Sequence, residues 1–177
     1  PQATDYAPYE RYHVLRARHA VFASGALERP LVFAGNERPG VMLADSIRAY
    51  ALRYGVAAGR DIVLFTSHDG AYRQLSTLKD MGVPIRAIVD TRTNISDLVT
   101  QVHGSHGIKR ISLAAFDPHG KKTSGEERVL DCDCLGISAG WTPTIHLTSQ
   151  MGGAPEWDET LHTVLPGRPN GIWTACG

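Results

Sequence analysis

Residues 61–90, DIVLFTSHDGAYRQLSTLKDMGVPIRAIVD, decide the fold of this chain. An apolar run at 61–65 predicts a strand, apolar residues at helical spacing predict a helix over 72–81, and a second apolar run at 85–89 ends at Asp90. A strand, a helix and a second strand in this order predict two parallel strands joined by the helix. Because both runs are mostly apolar, without the alternation of a strand that has one exposed face, we expect a sheet that is covered on both faces.

Weaker patterns extend this unit in both directions. They predict an α/β fold: a Rossmann-like βαβ sheet domain with a β-hairpin extension, plus flanking strands of an incomplete nucleotide-binding domain. The predicted helices are 41–54, 95–102 and 144–151, with another helix starting at Asp158. The predicted further strands are 12–17, 20–23, 108–116, 127–131, 134–138 and 171–175, and a hairpin loop is predicted over 117–125.

Composition excludes several classes of protein. The 177 residues carry 18 Lys plus Arg and 18 Asp plus Glu, so the chain lacks the basic excess of a general nucleic-acid binder. No apolar run approaches the roughly 20 residues of a membrane span, and residues 1–10 do not have the pattern of a signal peptide. The three cysteines form no disulfide framework and no zinc-binding pattern with histidine, so we expect a cytoplasmic protein without a metal.

The turn after the first strand of the βαβ unit resembles a dinucleotide-binding turn only in part. Aligned to G-x-G-x-x-A, residues 66–71 fit at Ala71 alone, and His68 would fill the space that a pyrophosphate requires. Asp69 adds a negative charge, whereas Asp90 stands about 20 residues further on, where an acid binds ribose. Two interpretations stay open: a nucleotide site, or a βαβ unit that has lost its ligand.

Two segments outside this unit share one pattern, in which a strand leads into small residues, a glycine and then a proline. Residues 23–26 are ASGA and precede Pro30, and residues 137–140 are ISAG and precede Pro143. Either segment alone could be a tight turn, and the adjacent Glu28 and Arg29 could pair with neighbouring residues. Together the two segments bracket the α/β unit, and small residues at strand ends let a ligand approach the backbone. No catalytic residues can be assigned from the sequence.

At these residues the chain resembles the alpha subunits of heterotetrameric, flavin-dependent sarcosine oxidases, within the flavoproteins that have two dinucleotide folds. The strings that carry the resemblance span residues 23–33, 36–44, 53–56, 89–92 and 140–147. The resemblance implies that the chain is an internal fragment. Residues 1–40 and 133–177 would be flanking segments of a dinucleotide-binding domain, and residues 41–132 would be an inserted NAD-binding-like domain.

The resemblance also implies cofactors, partners and site residues. The whole enzyme would use NAD, FAD and FMN, assemble with beta, gamma and delta subunits, and bind tetrahydrofolate through a domain that this chain lacks. The residues expected to border the nucleotide are Ser24, Gly25, Arg29, Gly140, Trp141 and Pro143. Alone, the fragment would be inactive and bind NAD weakly or not at all. The alternatives are the alpha subunit of an opine or hydroxyproline oxidase and a scaffold domain that binds no cofactor.

Overall fold

The computed structural model describes residues 10–92, 96–117, 119–123, 126–168 and 171–176. Thirteen strands and three helices lie in this part of the chain, most of them short. In chain order they are β1 Ala20–Phe22, β2 Ala26–Glu28, β3 Val41–Leu43, α1 Ala44–Tyr54, β4 Ile62–Thr66, α2 Gly70–Asp80, β5 Ile85–Asp90, β6 Ser96–His103, β7 Arg110–Phe116, β8 Arg128–Asp131, β9 Cys134–Ser138, β10 Trp141–Pro143, α3 His146–Gln150, β11 Glu156–Asp158, β12 Thr163–Leu165 and β13 Trp173–Ala175.

The predicted strand–helix–strand unit is confirmed as β4, α2 and β5. These strands belong to a four-stranded sheet in the order β3-β9-β4-β5, in which every neighbouring pair is parallel. Successive side chains of β4 enter different cores: Ile62 and Leu64 pack with the helices, and Val63 and Phe65 pack on the opposite face. All five residues of β4 are buried, as expected of a strand that is covered on both sides.

An antiparallel sheet of β6, β7 and β8 covers the face of the parallel sheet that lies opposite the helices. The predicted helix over 95–102 is therefore wrong: residue 95 lies outside the described residues, and 96–103 form β6. A register shift between Val99 and Gln101 puts both Val99 and Val102 in the core. Buried residues three apart mimic helical spacing, and the shift explains why the period of two is broken.

The hairpin extension is confirmed where β7 pairs antiparallel with β8, although its loop includes residues 118, 124 and 125, which lie outside the described residues. Three further segments differ from the prediction. The helix predicted over 41–54 begins at Ala44, because the first three residues pair with β9 as β3. Residues 12–17 are exposed and form no strand. Asp158 ends β11, and its carboxylate accepts the backbone N–H groups of Thr160 and Leu161 in a turn rather than starting a helix.

The segments on either side of the parallel sheet form three two-stranded pairs. β1 runs parallel to β13, β2 antiparallel to β10, and β11 antiparallel to β12. The small-residue segments that the sequence singled out adjoin the β2–β10 pair, and we call this pair together with its flanking residues, 24–29 and 140–144, the crossing ribbon. Of the helices that the structure describes, the longest have 11 residues, and none is long and apolar enough to cross a bilayer.

Candidate functional site

The crossing ribbon brings together the two segments predicted to border a nucleotide. Its ends are fixed by backbone hydrogen bonds: the N–H of Arg29 donates to the carbonyl of Gly140 at 2.8 Å, and the N–H of Thr144 donates to the carbonyl of Gly25 at 3.0 Å. The hydroxyl of Ser24 also donates to the carbonyl of Thr144 at 2.8 Å. Residues more than 110 positions apart therefore form one continuous surface.

Two glycines of the ribbon have backbone conformations that other residues adopt at a cost. Gly25 has φ of +68° and Gly140 has φ of +96°. A Cβ on Gly140 would lie 2.7 Å from a guanidinium nitrogen of Arg29, whereas a Cβ on Gly25 would meet no atom within 4 Å. Gly140 is therefore required for the approach of Arg29, and Gly25 leaves its backbone open.

Only part of the predicted set faces a common cavity. A cavity of about 340 Å³ is lined by Ser24, Gly25 and Pro143, and its other walls are mainly apolar. Arg29 points to a different neighbour, since its Nη1 donates to the carbonyl of His162 at 2.7 Å. Its Nε is buried without a hydrogen-bond partner among the described residues. Trp141 lies opposite Glu28 in the ribbon.

A second cluster, which the sequence did not predict, lies where the parallel strands end. Ser138 is the last residue of β9, and its hydroxyl lies 2.6 Å from Nε2 of His68. The other ring nitrogen of His68, Nδ1, accepts the backbone N–H of Gly70 at 3.0 Å. Since Nδ1 accepts, the proton of the neutral ring is on Nε2, so Ser138 accepts from His68 and donates its own proton to the carboxylate of Glu28. We call Glu28, Ser138 and His68 the carboxyl-edge network.

The carboxylate of Glu28 also contacts the first turn of α1. Its Oε2 accepts the backbone N–H of Asp45 at 2.8 Å, and the amide of Gln74 in α2 donates to Oε1 at 3.5 Å. Glu28 is 8% exposed, and burial raises its pKa although its hydrogen bonds act in the opposite sense. Burial lowers the pKa of His68, with a further contribution from the cations of Arg92 and Arg29. The network therefore favours a neutral imidazole.

The predicted ribose-binding acid, Asp90, is already bound by side chains of this chain. Tyr72 donates its hydroxyl to Asp90 at 2.9 Å, and Arg92 donates to the same carboxylate at 2.8 and 3.0 Å. Hydrogen bonding by Arg92 is the main reason that the pKa of Asp90 is lowered. Arg92 also forms an ion pair with Asp69 at 2.8 Å, which offsets the negative charge noted in the turn.

A cavity of about 430 Å³ lies beside Asp90, between β5 and the antiparallel sheet. Its polar side chains are paired with one another: Tyr72 with Asp90, and Arg128 with Asp97. Among the described residues, no group of three or more His, Cys, Asp or Glu side chains is placed to hold a metal ion.

The turn between β4 and α2, which the sequence compared with a dinucleotide-binding turn, is already hydrogen-bonded within the chain. The N–H of Gly70, which opens α2 and would bind a phosphate oxygen, is occupied by the imidazole of His68. The sequence suggested only that His68 fills the space of this turn. In the structure its imidazole also accepts the hydrogen bond from Gly70 that a ligand would otherwise accept. The signal that could have indicated this is that the acidic Glu28 follows one of the two small-residue segments and that Ser138 lies in the other.

Sequence comparison relates the chain to one set of proteins, although no family model matches it. It is 39% identical over 186 aligned residues to the sarcosine oxidase subunit alpha of Rhizobium meliloti (strain 1021), which covers 99% of this chain and 18% of that protein. It is 36% identical to the sarcosine oxidase subunit alpha of Corynebacterium sp. (strain U-96), covering 89% of this chain and 18% of that protein. The resemblance to sarcosine oxidase alpha subunits is confirmed. The chain spans about a fifth of the length of these relatives.

Solved structures confirm the α/β fold. L-proline dehydrogenase from P. horikoshii matches with a TM-score of 0.67 and 22% identity, over 91% of this chain and 30% of that chain. Thioredoxin reductase from Lactococcus lactis matches with a TM-score of 0.57 and 19% identity, over 89% of this chain and 56% of that chain. At these identities the likeness shows a shared fold. The chain therefore has the mixed α/β fold with a parallel sheet that the sequence predicted.

Proposed function

We propose that this chain is part of the alpha subunit of a sarcosine oxidase-like enzyme, a flavin-dependent amine oxidoreductase. The reaction would be the oxidative demethylation of sarcosine to glycine, formaldehyde and hydrogen peroxide. The whole complex would use NAD, FAD and FMN, contain beta, gamma and delta subunits, and pass the one-carbon unit to tetrahydrofolate on a domain outside this chain. The free thiols of all three cysteines suit a cytoplasmic location.

The similarity to sarcosine oxidase alpha subunits carries the proposal of the enzyme, and the crossing ribbon supports the role of this segment within it. It supports a division in which residues 1–40 and 133–177 flank a dinucleotide-binding domain and residues 41–132 are inserted into it. Ser24, Gly25, Arg29, Gly140, Trp141 and Pro143 would border the dinucleotide. The open backbone at Gly25 and the adjacent cavity give a diphosphate room to approach, and the guanidinium of Arg29 lies beside the backbone of Gly140.

In this assignment the chain's residues bind and orient, and they take no part in bond breaking. The flavins would supply the oxidation when bound in the complex. Arg29 would contribute positive charge beside Gly140, and the ribbon would fix the distance between the two small-residue segments. Without the rest of the dinucleotide-binding domain, the segment alone would be inactive and would retain NAD weakly or not at all.

The test uses the whole protein purified with its partner subunits. We expect sarcosine-dependent oxygen consumption and a dinucleotide that is released on denaturation. Arg29→Ala should lower the dinucleotide content, whereas the matched control Arg86→Ala, which removes an exposed arginine of β5, should not. Oxidation of hydroxyproline or an opine in place of sarcosine would favour the alternative oxidases, and equal dinucleotide content in both variants would refute the role of the ribbon.

A scaffold role is the second candidate, because the carboxyl-edge network closes the inserted domain's own nucleotide turn. In that case the complex would assemble, and no ribbon substitution would change its cofactor content. The same assay therefore separates the two functions.

A further inference from the structure

Two helices of the inserted domain begin at the same edge of the parallel sheet, and each has a backbone N–H that needs an acceptor. The N–H of Asp45 in the first turn of α1 binds the carboxylate of Glu28, and the N–H of Gly70 at the start of α2 binds the imidazole of His68. Positive helix ends of this kind attract anions, and in dinucleotide-binding folds the ligand's phosphates supply the acceptor. In this chain side chains supply both acceptors.

The acceptors form one connected unit that is largely closed to solvent. Ser138 is fully buried, accepts from His68 at 2.6 Å and donates to Glu28. The backbone around the network is joined as well, since the N–H of Ser67 donates to the carbonyl of Ser138 at 3.1 Å. Glu28 contributes the negative charge that a phosphate would otherwise bring. Asp90, the acid expected to bind ribose, is occupied by Arg92 and Tyr72.

We propose that the carboxyl-edge network replaces the phosphates of a dinucleotide, so that the inserted domain binds no nucleotide and uses its helix N-termini to hold the crossing ribbon. Glu28 belongs to β2 of the ribbon and Ser138 to β9 of the parallel sheet, while His68 precedes α2. The atoms that close the former ligand site are therefore the atoms that attach the ribbon to the sheet and to both helices. This holds whether or not the ribbon itself borders a dinucleotide.

The proposal predicts that the site can be opened. Thr66→Gly combined with His68→Gly changes the turn from TSHDGA to GSGDGA, which restores the G-x-G-x-x-A pattern and frees the N–H of Gly70. Ser67→Gly is a matched control, because it adds a glycine to the same turn and leaves the imidazole in place. One or two new hydrogen bonds to a charged oxygen should raise the affinity of this turn for NADH by roughly tenfold to a hundredfold, so that binding becomes detectable in the double variant and not in the native protein.

Hydrogen exchange of the whole protein, with and without NADH, locates any binding to this turn. The peptide covering 67–78 should be unchanged by NADH in the native protein and in Ser67→Gly, and it should gain protection in the double variant. Protection of this peptide in the native protein would overturn the proposal, and so would a folded double variant that NADH leaves unchanged. If the double variant does not fold, the native protein and His68→Asn provide the test. Asn keeps an acceptor for the N–H of Gly70, so neither protein should show NADH-dependent protection of this peptide, and protection in either would overturn the proposal.

A separate readout tests the attachment of the ribbon. His68→Gly should speed exchange in the peptides of β2 and β10 as well as in the first turn of α2, because one network joins them. Faster exchange confined to α2 would contradict the attachment. Because the dinucleotide content of the ribbon site is measured independently, failure of this inference can be distinguished from failure of the proposed function.

Discussion

Gly70→Ala provides a direct energetic test of the contact between His68 and α2. Gly70 is the first residue of α2, and a Cβ at this position would lie 2.4 Å from Cε1 and 2.8 Å from Nδ1 of His68. No real Cβ approaches an imidazole that closely, so the ring would have to leave its place. It would then lose its bonds to the N–H of Gly70 and to Ser138.

The expected magnitude follows from opposing terms. Two hydrogen bonds at about 0.5–1.5 kcal/mol each make the loss about 1–3 kcal/mol. Alanine is favoured over glycine within a helix by roughly 0.5–1 kcal/mol, which offsets part of that loss. When His68 is already alanine there is no ring to displace, so Gly70→Ala should stabilise α2 by roughly 0.5–1 kcal/mol. The coupling free energy between the two positions should therefore be about 1–3 kcal/mol.

Native-state hydrogen exchange of the α2 amides is the appropriate assay, because it reports local opening free energies within a larger assembly. The four proteins needed are the native form, His68→Ala, Gly70→Ala and the double variant. Ser76→Ala serves as the control for helix propensity, since Ser76 is exposed in the same helix and should act alike with and without His68. If Gly70→Ala changed the opening free energy equally in both backgrounds, the imidazole would not lie across the start of α2, and the inference built on it would fail.

The pKa shifts and the cysteines give two more predictions. Burial lowers the pKa of His68 below its ordinary 6.5, so the unfolded chain binds the proton more readily; the stability from the neutral imidazole is complete above pH 6.5 and is lost as the pH falls towards the native pKa. Burial raises the pKa of Glu28, so its contribution to stability has the opposite pH dependence and is lost as the pH rises above 4.5. To separate the two contributions, the pH dependence of α2 opening should be compared between the native protein and His68→Asn. In His68→Asn the loss of stability below pH 6.5 should disappear. Among the three thiols, Cys176 is exposed and should react readily with iodoacetamide at pH 8. Burial raises the pKa of Cys132 to about 11 and of Cys134 to about 12, so both should stay unmodified when alkylated peptides are mapped by mass spectrometry, and rapid alkylation of either would show that this core opens.

The sequence was most informative where one local pattern had one structural meaning. The runs that became β4 and β5 are short, mostly apolar and separated by a stretch with helical spacing, so the parallel unit could be predicted. In β6 the register shift moves two valines three positions apart into the core, which imitates a helix. The pairing that creates such a shift depends on β7, and a single-strand pattern does not contain it.

The carboxyl-edge network was beyond sequence reasoning for a different reason. Its members are separated by 70 and 110 positions, and each has an ordinary alternative: a surface acid, a small residue in a turn and a solvated histidine. The two segments of the crossing ribbon could be singled out because they share a pattern of small residues, glycine and proline, but the sequence did not predict that β2 pairs with β10. The expectation that His68 would fill the space of a pyrophosphate follows from its size alone, but the direction of its ring depends on Ser138.

Closure of the nucleotide turn and attachment of the ribbon are consequences of the same charge requirement. The first turns of α1 and α2 bring unsatisfied N–H groups and partial positive charge to the edge where Ser138 ends β9. An apolar side chain filling this space would exclude a ligand but would leave those donors buried and unpaired, at a cost of about 1–3 kcal/mol for each. An anion held by this chain satisfies them, and Glu28 can reach α1 only when β2 lies against the sheet. Under the proposal, closure of the turn requires the ribbon to be docked, which explains why the acid is contributed by β2, outside the βαβ unit, and why a change at Glu28 should loosen the ribbon and the start of α1 together.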